Sequence, residues 1–343
     1  MRWKIIICFT LSFIFLGYKN GACMGVNADT GLNFNPGQKQ FLATARLIDA
    51  AINSINSLNS LIKKESYRNK VTAFNNPASS ELGFSLQAEI QNALKPLLDK
   101  AKNTNTGKFS GVVSSIINTQ FKNQPIAGMF ATTGIFSSLI SLVGNLALHE
   151  KRISRQDLDS FVVTLNKYFI QYEKLSTANK SFDADINKLN ARLTELQFDT
   201  KEYLMDMITV LYKVNSRESL SQKGLEELLL KYMDKETLED SIHKRSATKY
   251  PGDGIKTAKE IVYGIQKLFN EYQQVYSGNF NEIKTILQQN KDLGKNIDVK
   301  QIEITISVLQ NLYEESRNAD MLNLRLTTLA ERLKALTITE QIE

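Results

Sequence analysis

The side chains that usually perform enzymatic chemistry are sparse in this 343-residue chain. Its two histidines, His149 and His243, lie far apart in sequence, and neither belongs to a metal-binding or catalytic motif. We interpret His149 as the end of an apolar segment and His243 as part of a solvated helix face. Acidic pairs such as Glu314-Glu315 fall on the polar faces of predicted helices, where solvation accounts for them.

One short segment, Gly252 to Thr257 (GDGIKT), contains some residues of a phosphate-binding loop. That motif requires an earlier glycine and a lysine directly after the last glycine, whereas Ile255 separates Gly254 from Lys256. We therefore interpret the segment as a turn before a helix. The sequence also has neither a nucleophile elbow nor a Cys-His pattern, so we predict no enzyme activity, no cofactor and no metal site.

Both cysteines, Cys8 and Cys23, lie in an N-terminal segment that has the features of a secretion signal. Basic residues near the start precede an uncharged apolar run from Ile5 to Tyr18, which has the length of a signal core and is short for a membrane span. Small residues at Val26 to Ala28 fit cleavage after Ala28. The sequence therefore predicts a signal peptide at residues 1–28 and an exported protein.

Two other interpretations of this leader stay open. Cleavage after Ala22 would make Cys23 the first residue, as in a bacterial lipoprotein, although Asn20 stands where a lipidation site usually has leucine. The leader could also remain as an uncleaved N-terminal anchor. If residues 1–28 are removed, the remaining chain has no cysteine, so packing alone must stabilise the fold.

The clearest pattern in the chain is a heptad-like apolar repeat from Leu158 to Val214. Apolar side chains recur there at alternating steps of three and four residues, which predicts a long helix with an apolar seam. No glycine or proline interrupts the sequence between Gly144 and Gly224. At about 1.5 Å per residue, such a helix is roughly 85 Å long and cannot lie inside one compact domain. The predicted seam positions are Leu158, Leu165, Tyr172, Asn179, Ile186, Leu193 and Met207.

Asn179 is a polar residue within this apolar seam. A single polar seam residue often fixes the register or the number of helices that associate. Such a residue can equally mark the point where a partner helix ends and water begins, and the sequence alone does not choose between these roles. The tyrosines at 168, 172 and 203 are larger than a tight two-stranded seam favours, so they indicate a bundle of several helices.

Further amphipathic patterns predict helices on both sides of the long one. Their approximate ranges are 38–64, 85–102, 255–276 and 299–336, and residues 221–246 are predicted as shorter helical pieces. A loop is expected at residues 65–80, an interruption at residues 277–279, and a kink or break at Pro96. The sequence therefore predicts an all-α protein, an elongated helical bundle with N-terminal helices in residues 29–108 and a long-helix stalk in residues 150–343.

The composition changes between residues 109 and 149, where Lys122 is the only charged side chain. Two apolar pieces, 109–121 and 126–148, predict a helical hairpin that forms a head between the two helical arms. The second piece is long enough to cross a bilayer, and its small residues suit close helix packing in lipid. The candidates for membrane insertion are Ile126, Met129, Phe130, Ile135, Phe136, Leu139, Ile140, Leu142, Val143 and Leu146.

This arrangement resembles the architecture of the α-helical pore-forming toxins. The resemblance rests on the leader, on the apolar pair 109–121 and 126–148, and on the long helices at 150–216 and 299–336. Members of that class are secreted, elongated bundles whose apolar hairpin enters a target membrane after oligomerisation. The resemblance implies a membrane-active protein in which residues 109–148 insert and the seam helices form the stalk.

The alternative is a non-enzymatic structural or adaptor coiled-coil protein outside the cytoplasm. In that case the apolar segment is core or subunit interface, or anchors the protein permanently. Either interpretation predicts a lipid membrane or a protein as the partner and a homo-oligomer or hetero-oligomer as the assembly. The formal charge of +6 is mild and forms no dense basic stripe, so we do not predict a nucleic-acid partner.

Overall fold

The computed structural model describes residues 34–101, 137–141, 143–145, 153–214, 216–244 and 254–341. Within these residues every regular element is a helix and none is a strand, which confirms the predicted all-α, elongated bundle. Residues 137–141 and 143–145 are also helical. The other helices are α1 (Pro36–Ile62), α2 (Ser66–Ala73), α3 (Leu86–Ala101), α4 (Arg155–Tyr212), α5 (Arg217–Ser221), α6 (Leu225–Tyr232), α7 (Lys235–His243), α8 (Gly254–Asn290), α9 (Val299–Arg317) and α10 (Asp320–Gln341).

The longest helix, α4, has 58 residues and is therefore about 87 Å long. It begins at a capping box, in which the Ser154 hydroxyl accepts from the Asp157 N–H and the Asp157 carboxylate accepts from the Ser154 N–H. It ends at Lys213, which adopts a left-handed conformation with φ of 49°. Both ends of the helix are thus defined by local backbone chemistry.

The 37-residue helix α8 packs antiparallel along α4. Lys174 of α4 donates to the side chain of Gln289 at 2.9 Å, and Leu196 packs against the backbone of Gly264 further along the pair. A Cβ atom at position 264 would lie 3.0 Å from a Leu196 methyl group, so the glycine allows this close approach. The α4–α8 pair is the framework on which the other helices pack.

Helix α1 is the most deeply buried of the long helices, because it packs against α4, α8 and α10. Most of its apolar residues are buried, and two small polar residues, Thr44 and Ser54, lie among them. Each hydroxyl donates to the carbonyl four residues earlier in α1, at 3.0 Å and 2.8 Å. These internal hydrogen bonds satisfy the buried hydroxyls without a partner from another helix.

Four helix boundaries differ from the sequence-based predictions. The expected loop at residues 65–80 contains helix α2, because Tyr67 and Val71, one turn apart, are both buried by neighbouring helices. Helix α3 is not divided at Pro96, where a kink remains a prediction, and α8 continues through Gly278. The predicted helix at 299–336 is instead divided between α9 and α10 at Asn318. Tertiary contacts override local propensity near Gly278, where Tyr276 and Asn279 are buried.

Asn179 joins the long helix to α2. Its side-chain amide donates to the Val71 carbonyl at 3.2 Å and to the Asn75 side chain at 3.0 Å. The residue is buried, so these contacts replace hydrogen bonds to water. The polar position of the seam therefore contacts a short helix of the same chain and fixes where that helix crosses α4.

A second buried contact joins α2 to α8. The Tyr67 hydroxyl donates to the Asn279 side-chain oxygen at 2.8 Å, and the Asn279 amide donates to the Ala178 carbonyl of α4 at 3.3 Å. The Tyr67 ring also packs edge-on against Phe182, with ring centroids 5.7 Å apart. Burial raises the pKa of Tyr67, so its hydroxyl stays protonated and acts as the donor.

Tyr67→Phe should lower the free energy of unfolding by about 1–2 kcal/mol, because the buried Asn279 oxygen loses its donor. Urea unfolding followed by circular dichroism measures this. The matched control is Tyr263→Phe, since Tyr263 is 58% exposed and its change should stay within about 0.5 kcal/mol. Equal losses in the two variants would show that the buried hydrogen bond does not contribute.

Candidate functional site

The predicted seam residues lie along one face of α4. Leu165, Tyr172, Asn179, Ile186, Leu193 and Met207 are buried, and Leu158 is half-buried. This face packs against α8, α1 and α3. Along the described residues, helices of the same chain therefore cover the seam.

The structure describes three of the predicted membrane-insertion residues. Leu139 is 0% exposed and Val143 is 1% exposed, whereas Ile140 is half-buried. Most of the predicted hairpin lies outside the described residues. The insertion candidates that lie outside them are Ile126, Met129, Phe130, Ile135, Phe136, Leu142 and Leu146.

The described end of the apolar segment packs on the bundle through one face. Leu139 and Val143 are four residues apart, so a helix places them on the same side, and both belong to the main apolar core. Ser138, Ser141 and Asn145 are exposed on the other side. This part of the segment is amphipathic, and the bundle covers its apolar face.

An ion pair joins the two helix ends that flank the apolar segment. Helix α3 ends at Ala101 and α4 begins at Arg155, and the Lys100 ammonium lies 2.6 Å from the Asp157 carboxylate. Hydrogen bonds from Lys100 and then from Ser154 lower the pKa of Asp157 to about 2. The same carboxylate therefore caps α4 and links the start of α4 to the end of α3, at the base of the apolar segment.

Helix α3 packs chiefly on α4 among the described helices. The Phe84 ring, just before α3, lies 4.8 Å from the Tyr168 ring, measured between centroids. Burial first, and then a hydrogen bond to Glu89, raise the pKa of Tyr168, so the phenol donates to a largely buried carboxylate. Aromatic packing and this hydrogen bond attach the start of α3 to the long helix.

A cleft of about 490 Å³ lies between α3, α4 and the turn that joins α8 to α9. We call it the basal cleft, because Lys100 and Asp157 at the base of the apolar segment line it. Its apolar lining is Ala93, Pro96, Leu97 and Phe161, and its polar lining includes Lys167 of α4 and Lys295 and Asn296 of the turn. Sequence patterns did not predict it, because three separate elements contribute the lining.

The described residues provide little for metal or nucleophilic chemistry. No group of three or more His, Cys, Asp or Glu side chains among them is arranged to hold a metal ion. His243 is exposed at the end of α7, and its ring lies 6.1 Å from that of Phe34; His149 lies outside the described residues. Gly254 begins α8, whereas Gly252 and Asp253 lie outside the described residues.

None of the helices in the described part of the chain combines the length and the hydropathy that crossing a bilayer requires. The predicted spanning piece, residues 126–148, lies mostly outside that part. Comparison with protein-family models, with curated proteins and with solved structures gives no match to this chain.

The Lys100–Asp157 pair predicts a specific loss of stability in acid. Because folding lowers the Asp157 pKa from its ordinary 3.8 to about 2, the pair contributes stability that is complete above pH 4 or so and is lost as the pH falls towards about 2. Asp157→Asn should be less stable than the parent at neutral pH, and the difference should shrink across that acid range.

Denaturant unfolding at a series of pH values measures this dependence. Asp159→Asn is the matched control, because Asp159 is exposed in the same first part of α4. Parallel stability curves for Asp157→Asn and the parent between neutral pH and pH 2 or so would contradict the assignment.

Proposed function

We propose that this chain is an exported, membrane-active helical protein that inserts residues 109–148 into a lipid membrane after oligomerisation. It would act in the manner of the α-helical pore-forming toxins, which it resembles in architecture. The observation that carries the proposal is the packing of Leu139 and Val143. These side chains of the apolar segment are covered by a bundle whose longest helix, α4, begins directly after the segment.

The energetics of this packing are compatible with transfer into lipid. Full burial of a leucine or valine side chain is worth about 1.5–3 kcal/mol, whether the surroundings are protein or hydrocarbon. Moving Leu139 and Val143 from the bundle to a bilayer therefore exchanges one apolar environment for another. The remaining apolar side chains of the segment would then decide the direction of transfer.

The position of the segment also supports the proposal. Its two flanking helix ends lie at the same end of the bundle as the α8–α9 turn, since Lys167 near the start of α4 donates to the Leu293 carbonyl at 2.6 Å. An insertion at one end of a long bundle leaves the rest of the bundle free to act as a stalk. Large apolar side chains that remain exposed on α9 and α10, such as Ile304, Met321 and Leu324, are candidate contacts between copies.

The burial of Leu139 and Val143 also supports a second function, that of a structural or adaptor protein outside the cytoplasm. Leu139 and Val143 are as well covered as the core of α1, so the segment is equally suited to a permanent place in the fold. Under this function the apolar segment never leaves the bundle, and the partner is another protein. The two functions differ in whether lipid alone changes the state of the chain.

The most informative substitution is at an exposed position of the packed helix. A charge at Leu139 would unfold a buried site under either function, whereas Ser141 is exposed. Ser141→Glu should therefore leave the soluble fold intact. In the membrane, a carboxylate near the middle of a helix costs about 2.5–3.5 kcal/mol, so dye release from liposomes should fall by about a hundredfold.

The chain is expressed with its own leader, purified in its processed form, and assayed for dye release and for sedimentation with liposomes. Thr194→Glu on α4 is the matched control, because Thr194 is exposed on the long helix, away in sequence from both the apolar segment and the exposed side chains of α9 and α10. Dye release that is equal in both variants and the parent would rule out insertion of this segment. A parent chain that stays soluble and ignores lipid would favour the adaptor function.

A further inference from the structure

We propose that the basal cleft binds the phosphate of an anionic lipid headgroup. The inference rests on the proposed membrane activity and names the surface chemistry that the protein would recognise. The cleft is the right size for this role, because its volume of about 490 Å³ lies within the range of about 300–1,000 Å³ that is typical of small-molecule sites.

Two lysines meet at the turn between α8 and α9. The Lys167 ammonium donates to the Leu293 carbonyl and lies over the Tyr168 ring, 4.9 Å from its centroid. A Cβ atom at position 294 would be 3.1 Å from this ammonium, so Lys167 lies against the Gly294 backbone. Lys295 is the next residue and lines the same cleft. The arrangement fixes one ammonium group and places a second lysine beside it.

The positive charge of these two lysines is not neutralised within the described structure. Three lysines and two carboxylates line the cleft, so the lining has one more positive than negative charge: Asp157 pairs with Lys100, whereas Glu89 accepts from the neutral Tyr168 phenol. Neither Lys167 nor Lys295 forms an ion pair with a residue that the structure describes. An anion that enters the cleft would meet donors whose charge is still available.

Part of the lining suits a lipid better than a free anion. Ala93 and Pro96 of α3, which are not buried, line the cleft together with the lysines, and a simple phosphate ion would leave them in contact with water. The glycerol and first methylene groups of a phospholipid would cover them. The lining therefore combines the cationic and apolar groups that a phospholipid requires.

The location gives this binding a consequence for insertion. The cleft adjoins the Lys100–Asp157 pair, where the chain enters and leaves the apolar segment. A lipid headgroup held here would bring the bilayer surface to the base of that segment. Recognition and insertion would then occur at the same end of the bundle.

The test compares charge reversal inside and beside the cleft in the full processed chain. Lys295→Glu should weaken binding to vesicles of phosphatidylcholine with phosphatidylserine by about 25-fold, since each lysine near an anionic surface contributes about fivefold and reversal counts twice. Lys300→Glu is the matched control, because Lys300 is exposed five positions later but does not line the cleft. Both lysines are exposed, and urea unfolding checks that both variants fold.

Equal losses in the two variants would indicate a diffuse charge effect and would overturn the proposal, as would an unchanged affinity of Lys295→Glu. A loss confined to Lys295→Glu would support it. If the parent releases dye but Lys295→Glu binds vesicles as the parent does, the cleft assignment fails and the proposed function stands.

A vesicle-free calorimetric titration separates the two sources of phosphate. The parent chain should bind a water-soluble short-chain phosphatidylserine, and Lys295→Glu should bind it about 25-fold more weakly. Binding of inorganic phosphate with no binding of the short-chain lipid would overturn the lipid assignment, and so would binding of neither. If the parent ignores vesicles yet binds the short-chain lipid through Lys295, the cleft assignment stands and the proposed function fails.

Discussion

An apolar seam about 87 Å long must be covered along its length, and this constraint organises the whole chain. One partner helix does not cover it, because α8 has 37 residues against the 58 of α4. The shorter helices α1, α2 and α3 supply the remaining contacts in succession. Several shorter helices therefore pack at successive positions along α4. Each of these contacts depends on where the shorter helix lies along α4.

Buried amides provide much of that positioning. Asn179, Asn279 and Asn290 donate to carbonyl groups of other elements at 3.1–3.3 Å, and the side-chain oxygens of Asn179 and Asn290 have no hydrogen-bond donor among the described residues. Apolar side chains at these positions would avoid that cost. The amides instead make one position of α2 and its following turn along α4 more stable than a shifted position, since a shift would leave more polar atoms unpaired.

Periodicity predicted the parts of the fold that rest on local pattern. The seam from Leu158 to Val214 located α4, found at Arg155–Tyr212, because a sustained repeat of three and four residues has few other solutions. Helix α2 was missed because its eight residues have little helical pattern of their own and depend on burial of Tyr67 and Val71. The basal cleft was not predicted either, because Lys167 and Gly294 are distant in sequence and come together only in the folded chain.

The distribution of these contacts also bears on how the apolar segment would be released. Up to Leu82 the chain is joined to α4 and α8 by buried amides, and Gly83, with φ of 82°, then turns it towards α3. Beyond that turn, α3 is attached chiefly to α4 through aromatic packing and the Lys100–Asp157 pair. Opening this interface would free α3, and release of the segment that follows it would also require Leu139 and Val143 to leave the core. The core formed by α1, α4 and α8 would stay closed, so a membrane-active chain of this design would insert without unfolding its stalk.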